Sequence, residues 1–144
     1  MNRSMGNNNN NTILNSHYLF ILLFSSPLGR GFLTGAYKKR EDFNGQGDIR
    51  SNHFPRFSNE NFAKNMEFVN KIEVLAEKKG ITTPEFILAW VLAQGNDFFV
   101  IPGTKRINYL EQNIKGGQIQ LSDEELKEMR DIVDSATIAG DRYF

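Results

Sequence analysis

Apolar side chains in the middle of the chain recur at helical spacing, and this pattern predicts a long amphipathic helix over Asn59–Lys79. The apolar positions are Phe62, Met66, Val69, Ile72 and Leu75. Lys78 and Lys79 lie in the last turn, where cations complement the negative end of the helix dipole. Gly80 follows and can adopt a positive φ without a Cβ clash, so the helix is predicted to end there.

A second helix is predicted to start directly afterwards. Thr83 is its expected cap, Pro84 suits the first helical position and Glu85 suits the first turn. Apolar residues then cover most of its circumference, namely Phe86, Ile87, Ala89, Trp90, Val91 and Ala93. We therefore expect this helix to be well buried and to end at Gly95.

Two apolar runs without a break predict strands. Residues 18–24 fit a strand that helices cover on both faces, and residues 98–101 fit a shorter buried strand closed by Pro102. The first run is too short for a membrane-spanning helix, which needs about 20 residues. A secretory signal is an open alternative because Arg3 precedes the run, although no small-x-small cleavage site follows it.

Two further helices are predicted toward the carboxyl end. The first spans residues 107–114, and the second begins with a capping box in which Ser122 is the cap and Glu125 completes it. One apolar face of the second helix is formed by Leu126, Met129, Ile132 and Val133. Strands that alternate with helices predict an α/β fold with a parallel sheet of βαβ units.

Composition narrows the classes of protein. The 144 residues carry 17 Lys+Arg and 17 Asp+Glu, a balance that argues against a nucleic-acid partner. The chain has no Cys, which excludes a disulfide scaffold, a thiolate metal site and a cysteine nucleophile, and its 2 His are too few for a metal centre. The Asn-rich residues 1–17 are predicted to be a disordered tail ahead of one domain over residues 18–144.

The loop after the first predicted strand, residues 25–35, could carry chemistry. Gly29, Gly31 and Gly35 would let the backbone approach a ligand and expose its N–H groups. Arg30 could pair with a phosphate. The spacing is neither that of a P-loop nor that of a GxGxxG fingerprint, and a plain turn is the alternative.

The loop after the second predicted strand, residues 102–106, leads into a helix whose N-terminus attracts anions. Thr104 adds a hydroxyl, whereas Lys105 and Arg106 would oppose the helix dipole unless an anion were bound. A solvated basic pair is the alternative. Because the carboxyl ends of adjacent parallel strands share one edge, the two loops together favour a ligand site.

The loops and helices combine into ordered motifs: SPLGRGFLTG at 26–35, Thr83-Pro84 with Ala89-Trp90, IPGTKR at 101–106 and YLEQN at 109–113. These motifs resemble the aldo-keto reductases, in the branch that includes plant auxin-induced-like and microbial YakC-like enzymes. The resemblance implies a (β/α)8 TIM barrel that binds NADPH at its carboxyl face and reduces small-molecule aldehydes and ketones. Such a barrel takes about 250 residues, so the chain is interpreted as a carboxyl-terminal fragment with about two of the eight strands.

The resemblance implies a role for both loops in binding NADP. The first loop would border the coenzyme pyrophosphate through Ser26, Pro27, Leu28, Gly29, Arg30 and Gly31. The second would hold the 2′-phosphate and ribose through Gly103, Thr104, Lys105 and Arg106, with Gln112 and Asn113 near the adenine. The two cations imply a preference for NADPH over NADH.

The chain departs from the family pattern at the catalytic machinery. Ser25 replaces the aromatic residue that commonly stacks on the nicotinamide, and the family's catalytic Asp, Tyr, Lys and His lie before the matching region. No catalytic residue is therefore assigned, and the chain alone is predicted to be inactive because carbonyl reduction lacks its general acid. His17 and Tyr18 are not expected to replace it, and a surface or structural role is expected for His53.

The abrupt loss of resemblance at Ser25 motivates the hypothesis that residues 1 to about 25 come from a truncated or misassembled gene model. Two other functions stay open. One is a non-catalytic nucleotide-binding or interaction module, and the other is a secreted protein with an unrelated role. A cytoplasmic location and no membrane partner are expected.

Overall fold

The computed structural model describes residues 21–43, 45 and 47–143. The predicted tail over residues 1–17 and the first positions of the apolar run, 18–20, lie outside these described residues. The strands and α-helices in chain order are β1 (Leu22–Ser25), α1 (Arg50–His53), α2 (Asn59–Lys79), α3 (Thr83–Leu92), β2 (Phe98–Ile101), α4 (Ile107–Gly116) and α5 (Asp123–Ser135). Short 3₁₀ helices span Gly29–Thr34, Arg40–Phe43 and Pro55–Phe57. The first is interrupted by a kink at Arg30 and Gly31, which have left-handed backbone angles.

Helix α2 has the bounds that its hydrophobic spacing predicts. It starts after Ser58, whose hydroxyl oxygen accepts a hydrogen bond from the Asn61 N–H at 3.3 Å. It ends at Gly80, where φ is 75° and the backbone N–H donates to the Glu77 carbonyl oxygen at 2.9 Å. Local signals at both ends therefore determine the length of this helix.

The start of α3 corrects the predicted cap by one residue. Thr82, not Thr83, is the cap: its hydroxyl accepts from the Glu85 N–H, and the Glu85 carboxylate accepts from the Thr82 N–H at 2.8 Å. Thr83 becomes the first helical residue because the box needs its acidic member three positions after the cap. The helix ends at Leu92, before the expected Gly95, and is well buried, as predicted.

The two carboxyl-terminal helices follow their predicted patterns. Helix α4 begins at Ile107 and continues past the expected end at Ile114 to Gly116. Helix α5 begins with the predicted capping box, in which the Glu125 carboxylate accepts from the Ser122 N–H at 2.7 Å. Met129, on the predicted apolar face of α5, is buried against residues of α2 and α3.

Strands β1 and β2 form a parallel pair with Leu22 opposite Phe98 and Ser25 opposite Ile101. The parallel arrangement confirms the prediction, but the burial does not. Every residue of β1 is exposed, and the side chain positions of β2 alternate between half-buried and exposed. The prediction that helices cover this strand on both faces was wrong. Among the described elements, β1 pairs with β2 only, and α3 packs against β2.

The core consists of two clusters that meet along α2. The first is mainly aromatic and joins the long segment between β1 and α2 to this helix, through Phe32, Phe43, Phe57, Phe62, Met66 and Val69. The second joins α2, α3 and α5 through Ile72, Ala76, Phe86, Ile87 and Met129. The loop after β1 is therefore held by ring packing, with Phe32 and Phe57 edge to face at 5.3 Å. No helix in the described part of the chain is both long and apolar enough to cross a bilayer.

Candidate functional site

A cavity of about 730 Å³ opens at the carboxyl ends of β1 and β2. The loops after both strands line it, because parallel pairing places both strand ends at one edge of the sheet. Its walls include these sequence-predicted residues: Ser26, Pro27, Leu28, Arg30, Gly31, Gly103, Thr104, Lys105, Arg106, Gln112 and Asn113. Gly29 lies instead on a neighbouring cavity of about 400 Å³.

The first loop is tightly folded, and its glycine amides are used within it. The Gly29 N–H donates to the Ser26 carbonyl oxygen at 2.9 Å, and the Gly31 N–H donates to that of Leu28 at 3.0 Å. The expectation that these glycines expose their N–H groups was therefore wrong. Ser26 and Arg30 adopt φ values of 55° and 58°, a left-handed conformation that is costly for non-glycine residues and clusters at functional sites.

Gly31 makes room for two side chains at the cavity wall. A Cβ atom at this position would lie 3.1 Å from the Tyr37 ring and 3.2 Å from Arg50 Nη1. With the Cβ absent, Arg50 Nη1 donates to the Arg30 carbonyl oxygen at 2.9 Å. The glycine therefore contributes space for close packing, and a cation behind the loop holds the loop backbone.

Arg50 is a cavity residue that sequence reasoning missed. Its guanidinium donates to Asp48 Oδ2 at 2.6 Å and lies 4.7 Å from the centre of the Tyr37 ring. The hydrogen bond from Arg50 lowers the pKa of Asp48, and the same carboxylate raises the pKa of Arg50. Both groups stay charged near neutral pH. The short spacing Asp48-Ile-Arg50 was the only signal in the sequence.

The second loop ends at the N-terminus of α4, and no side chain caps it. Arg106 occupies the cap position, and the Thr104 hydroxyl accepts from the Arg106 N–H at 3.1 Å instead of from the helix. Lys105 and Arg106 are both exposed. Two exposed cations thus lie beside the uncapped N-terminus of α4 at the cavity edge, a combination that favours binding of a phosphate group. The Arg106 guanidinium also lies 5.5 Å from the centre of the Tyr109 ring.

The wall formed by α4 is bonded to the start of α3. Gln112 Nε2 donates to the Thr82 hydroxyl at 2.9 Å, and Lys115 Nζ lies 3.0 Å from Glu85 Oε1. Burial alone would raise the pKa of Glu85, but hydrogen bonds from the Thr82 backbone and hydroxyl, and the Lys115 ammonium, outweigh it and lower the pKa. Gln112 is therefore anchored in the cavity wall.

Two carboxylates of α2 also line the cavity, whereas His53 does not. Glu73 and Glu77 of α2 line the cavity, and Lys38 Nζ donates to Glu73 Oε1 at 2.7 Å. His53 is exposed, with Nδ1 at 3.1 Å from the Ile49 carbonyl oxygen. Within the described ranges, no group of three His, Asp or Glu side chains is placed to hold a metal ion.

Most of the chain is similar in sequence to known proteins. Residues 20–134 match the model of the aldo/keto reductase family. The chain belongs to this family. An aldo/keto reductase named yakc [NADP(+)] from Schizosaccharomyces pombe is 52% identical over 118 residues, and str7 from Strobilurus tenacellus is 45% identical over 117. The alignments cover 82% and 81% of this chain but 34% of each relative.

A solved structure gives the same result for the fold. The glycerol dehydrogenase AKR11B4 from Gluconobacter oxydans superposes with a TM-score of 0.67 at 33% identity, and the match covers 78% of this chain and 34% of that enzyme. The described residues are therefore part of a (β/α)8 barrel, as predicted. The chain spans about a third of the length of these aldo/keto reductases, which accounts for the exposed faces of β1 and β2.

Proposed function

We propose that this aldo/keto reductase segment binds the phosphate-bearing end of NADP(H) in the cavity between its two loops. The observation that carries the proposal is the shared cavity edge, where the Gly-rich turn at 26–31 faces Lys105 and Arg106 at an uncapped helix N-terminus. The yeast relative is named for NADP(+), which supports the same coenzyme here.

The charges divide the proposed site into two parts. Thr104, Lys105 and Arg106 would hold the 2′-phosphate, because a doubly charged group gains both from the cations and from the positive helix end. The first loop would border the pyrophosphate, with Arg50 adding positive charge behind the Arg30 carbonyl. Gln112 and Asn113 would lie beside the adenine.

The proposed whole-protein activity is NADPH-dependent reduction of aldehydes or ketones. The bound coenzyme would supply the hydride. This segment would contribute coenzyme binding and orientation, while the proton donor would come from the part of the barrel that matches the other two-thirds of the relatives. We therefore expect the 144-residue chain alone to bind NADPH without oxidising it when an aldehyde is added.

Titration of the chain with NADPH and NADH, followed by coenzyme fluorescence, tests the binding proposal. Replacing Lys105 and Arg106 together by Ala should weaken NADPH binding at least about tenfold, equivalent to 1.4 kcal/mol, and change NADH binding little. The matched control replaces Lys64 and Lys71, exposed cations of α2, which changes the net charge equally. Equal affinity for NADPH and NADH in the unmodified chain would contradict the 2′-phosphate site.

An interaction module is the second candidate, and exposed apolar surface favours it. Leu23 of β1 is 66% exposed and Ile107 of α4 is 74% exposed. Unpaired strand edges and apolar helix faces promote association between chains. Sedimentation of the purified chain over a range of concentrations tests this candidate, and a monomer at every concentration would count against it.

A further inference from the structure

The segment after α5 returns to the first loop, residues 25–35. We call residues 136–143 the carboxyl-terminal strap. Its central contact is with Asn65 of α2, whose side chain is 2% exposed. Asn65 Nδ2 donates to the Ala139 carbonyl oxygen at 2.9 Å, and Asn65 Oδ1 accepts from the Ala139 N–H at 2.7 Å. The Asn65 side-chain amide therefore hydrogen-bonds to both backbone groups of Ala139, as the backbone of a neighbouring strand would.

The next residue of the strap fits its position only as glycine. Gly140 has a φ of 82°, and a Cβ there would lie 2.6 Å from Asn61 Nδ2 and 2.9 Å from the Pro55 carbonyl carbon. Its own carbonyl oxygen accepts from Arg56 Nε at 3.2 Å. The strap thus packs closely against the segment that precedes α2.

The end of the strap contacts the side chain of Arg30 in the first loop. Arg30 Nη2 donates to the Tyr143 hydroxyl oxygen at 2.9 Å. The Arg30 guanidinium also lies 4.1 Å from the ring centre of Phe54 and 5.0 Å from that of Tyr143. Residues 113 positions apart are therefore joined at the wall between the two cavities, both of which Arg30 lines.

We propose that the strap positions Arg30 for the coenzyme phosphates, so that strap docking and NADP(H) binding favour each other. The Arg30 guanidinium lies over the Phe54 and Tyr143 rings, and the Tyr143 hydroxyl takes one of its five N–H donors. The other donors are left for phosphate oxygens. An arginine already held in place loses less side-chain freedom on binding, and the coupling is reciprocal by thermodynamic linkage.

This inference rests on the proposed function, and two variants separate the strap from the coenzyme residues. Tyr143→Ala removes both the hydroxyl and the ring, at a position 55% exposed where loss of folding is not expected. Gly140→Ala disturbs docking without touching Arg30. Ser135→Ala is the matched control, because it removes one exposed hydroxyl from the end of α5.

Fluorescence titration with NADPH should show each strap variant weakened about fivefold, at the low end of the usual range for coupled sites, and the control unchanged. In an Arg30→Ala background the Tyr143→Ala change should have no further effect. Hydrogen exchange supplies a second readout: NADPH should slow exchange at the Ala139 amide in the unmodified chain but not in Arg30→Ala.

Three outcomes overturn the inference. Unchanged affinity in both strap variants, while Lys105→Ala with Arg106→Ala still weakens binding, would remove the strap's role and leave the proposed function intact. Tighter binding in Tyr143→Ala would mean that the strap withholds Arg30 from the coenzyme. Absence of NADPH binding by the unmodified chain would overturn the proposed function and the strap together.

Discussion

Loss of Glu85 should destabilise the junction between α3 and α4. Its side chain is buried, with 3% of the residue exposed, and both carboxylate oxygens have partners. Oε2 accepts from the Thr82 N–H and hydroxyl, each at 2.8 Å, and Oε1 lies 3.0 Å from Lys115 Nζ. Glu85→Ala removes all three interactions at once.

The magnitude follows from these contacts. Loss of the acidic member of a capping box leaves the Thr82 N–H and hydroxyl without their acceptor, which costs about 1–2 kcal/mol. The ion pair adds at most about 0.5 kcal/mol, because the Lys115 side chain is 63% exposed and water takes over its solvation. We expect the free energy of unfolding to fall by about 2 kcal/mol.

Urea unfolding followed by the fluorescence of Trp90, the single tryptophan of the chain, measures this change. With a slope of about 2 kcal/mol per molar urea, the midpoint should fall by about 1 M. Lys115→Ala removes the ion pair but leaves the bonds of Glu85 Oε2 to Thr82, so it should shift the midpoint by less than Glu85→Ala does. A loss in Lys115→Ala as large as in Glu85→Ala would refute the reasoning, because the ion pair would then dominate the cap.

The contribution of Glu85 to stability should depend on pH in a defined direction. The pKa of Glu85 is lowered on folding, since hydrogen bonds and Lys115 outweigh the effect of burial. Its ionised form therefore contributes stability in full above its ordinary pKa of 4.5, and this contribution is lost as the pH falls through the lower folded pKa. Glu85→Gln should reduce the loss of stability below pH 4.5.

Three further changes test the packing of the fold. Gly116→Ala should lower the free energy of unfolding by about 1–3 kcal/mol in urea, because its Cβ would lie 3.0 Å from the Glu85 Cα, whereas Gly117→Ala should have little effect. Phe43→Ala should cost about 3–5 kcal/mol by thermal unfolding, since Phe43 is 0% exposed among other rings. Glu125→Gln should destabilise the protein by about 1 kcal/mol at pH 7, because it weakens the contacts of the carboxylate with Lys79 and the Ser122 N–H. These contacts lower the pKa of Glu125 against the effect of burial. The destabilisation should be smaller below pH 4.5, where protonation of Glu125 in the unmodified chain removes the same contacts.

The candidate site could be predicted in its two loops but not in its supports. The turn at 26–31 and the loop at 102–106, which holds the basic pair Lys105-Arg106, each follow an apolar run. Parallel pairing then requires the two loops to share an edge of the sheet. Arg50 and the strap carry no such signal. The contacts of Arg50 and of the strap join segments that lie far apart in the sequence, so no local pattern predicts them. Whether the Gly29 and Gly31 N–H groups form hydrogen bonds within the loop depends on the geometry of the turn, and the presence of glycine does not reveal it.

The sequence by itself determined both ends of α2 and the start of α5. Helical spacing, capping residues and Gly80 act within a few positions of one another, so the bounds of α2 and the capping box of α5 could be predicted from neighbouring residues alone. Only the tertiary structure decided how exposed β1 is and which aromatic rings hold Arg30. Burial and long-range contact depend on what packs alongside, and an apolar run carries no information about its neighbours in space.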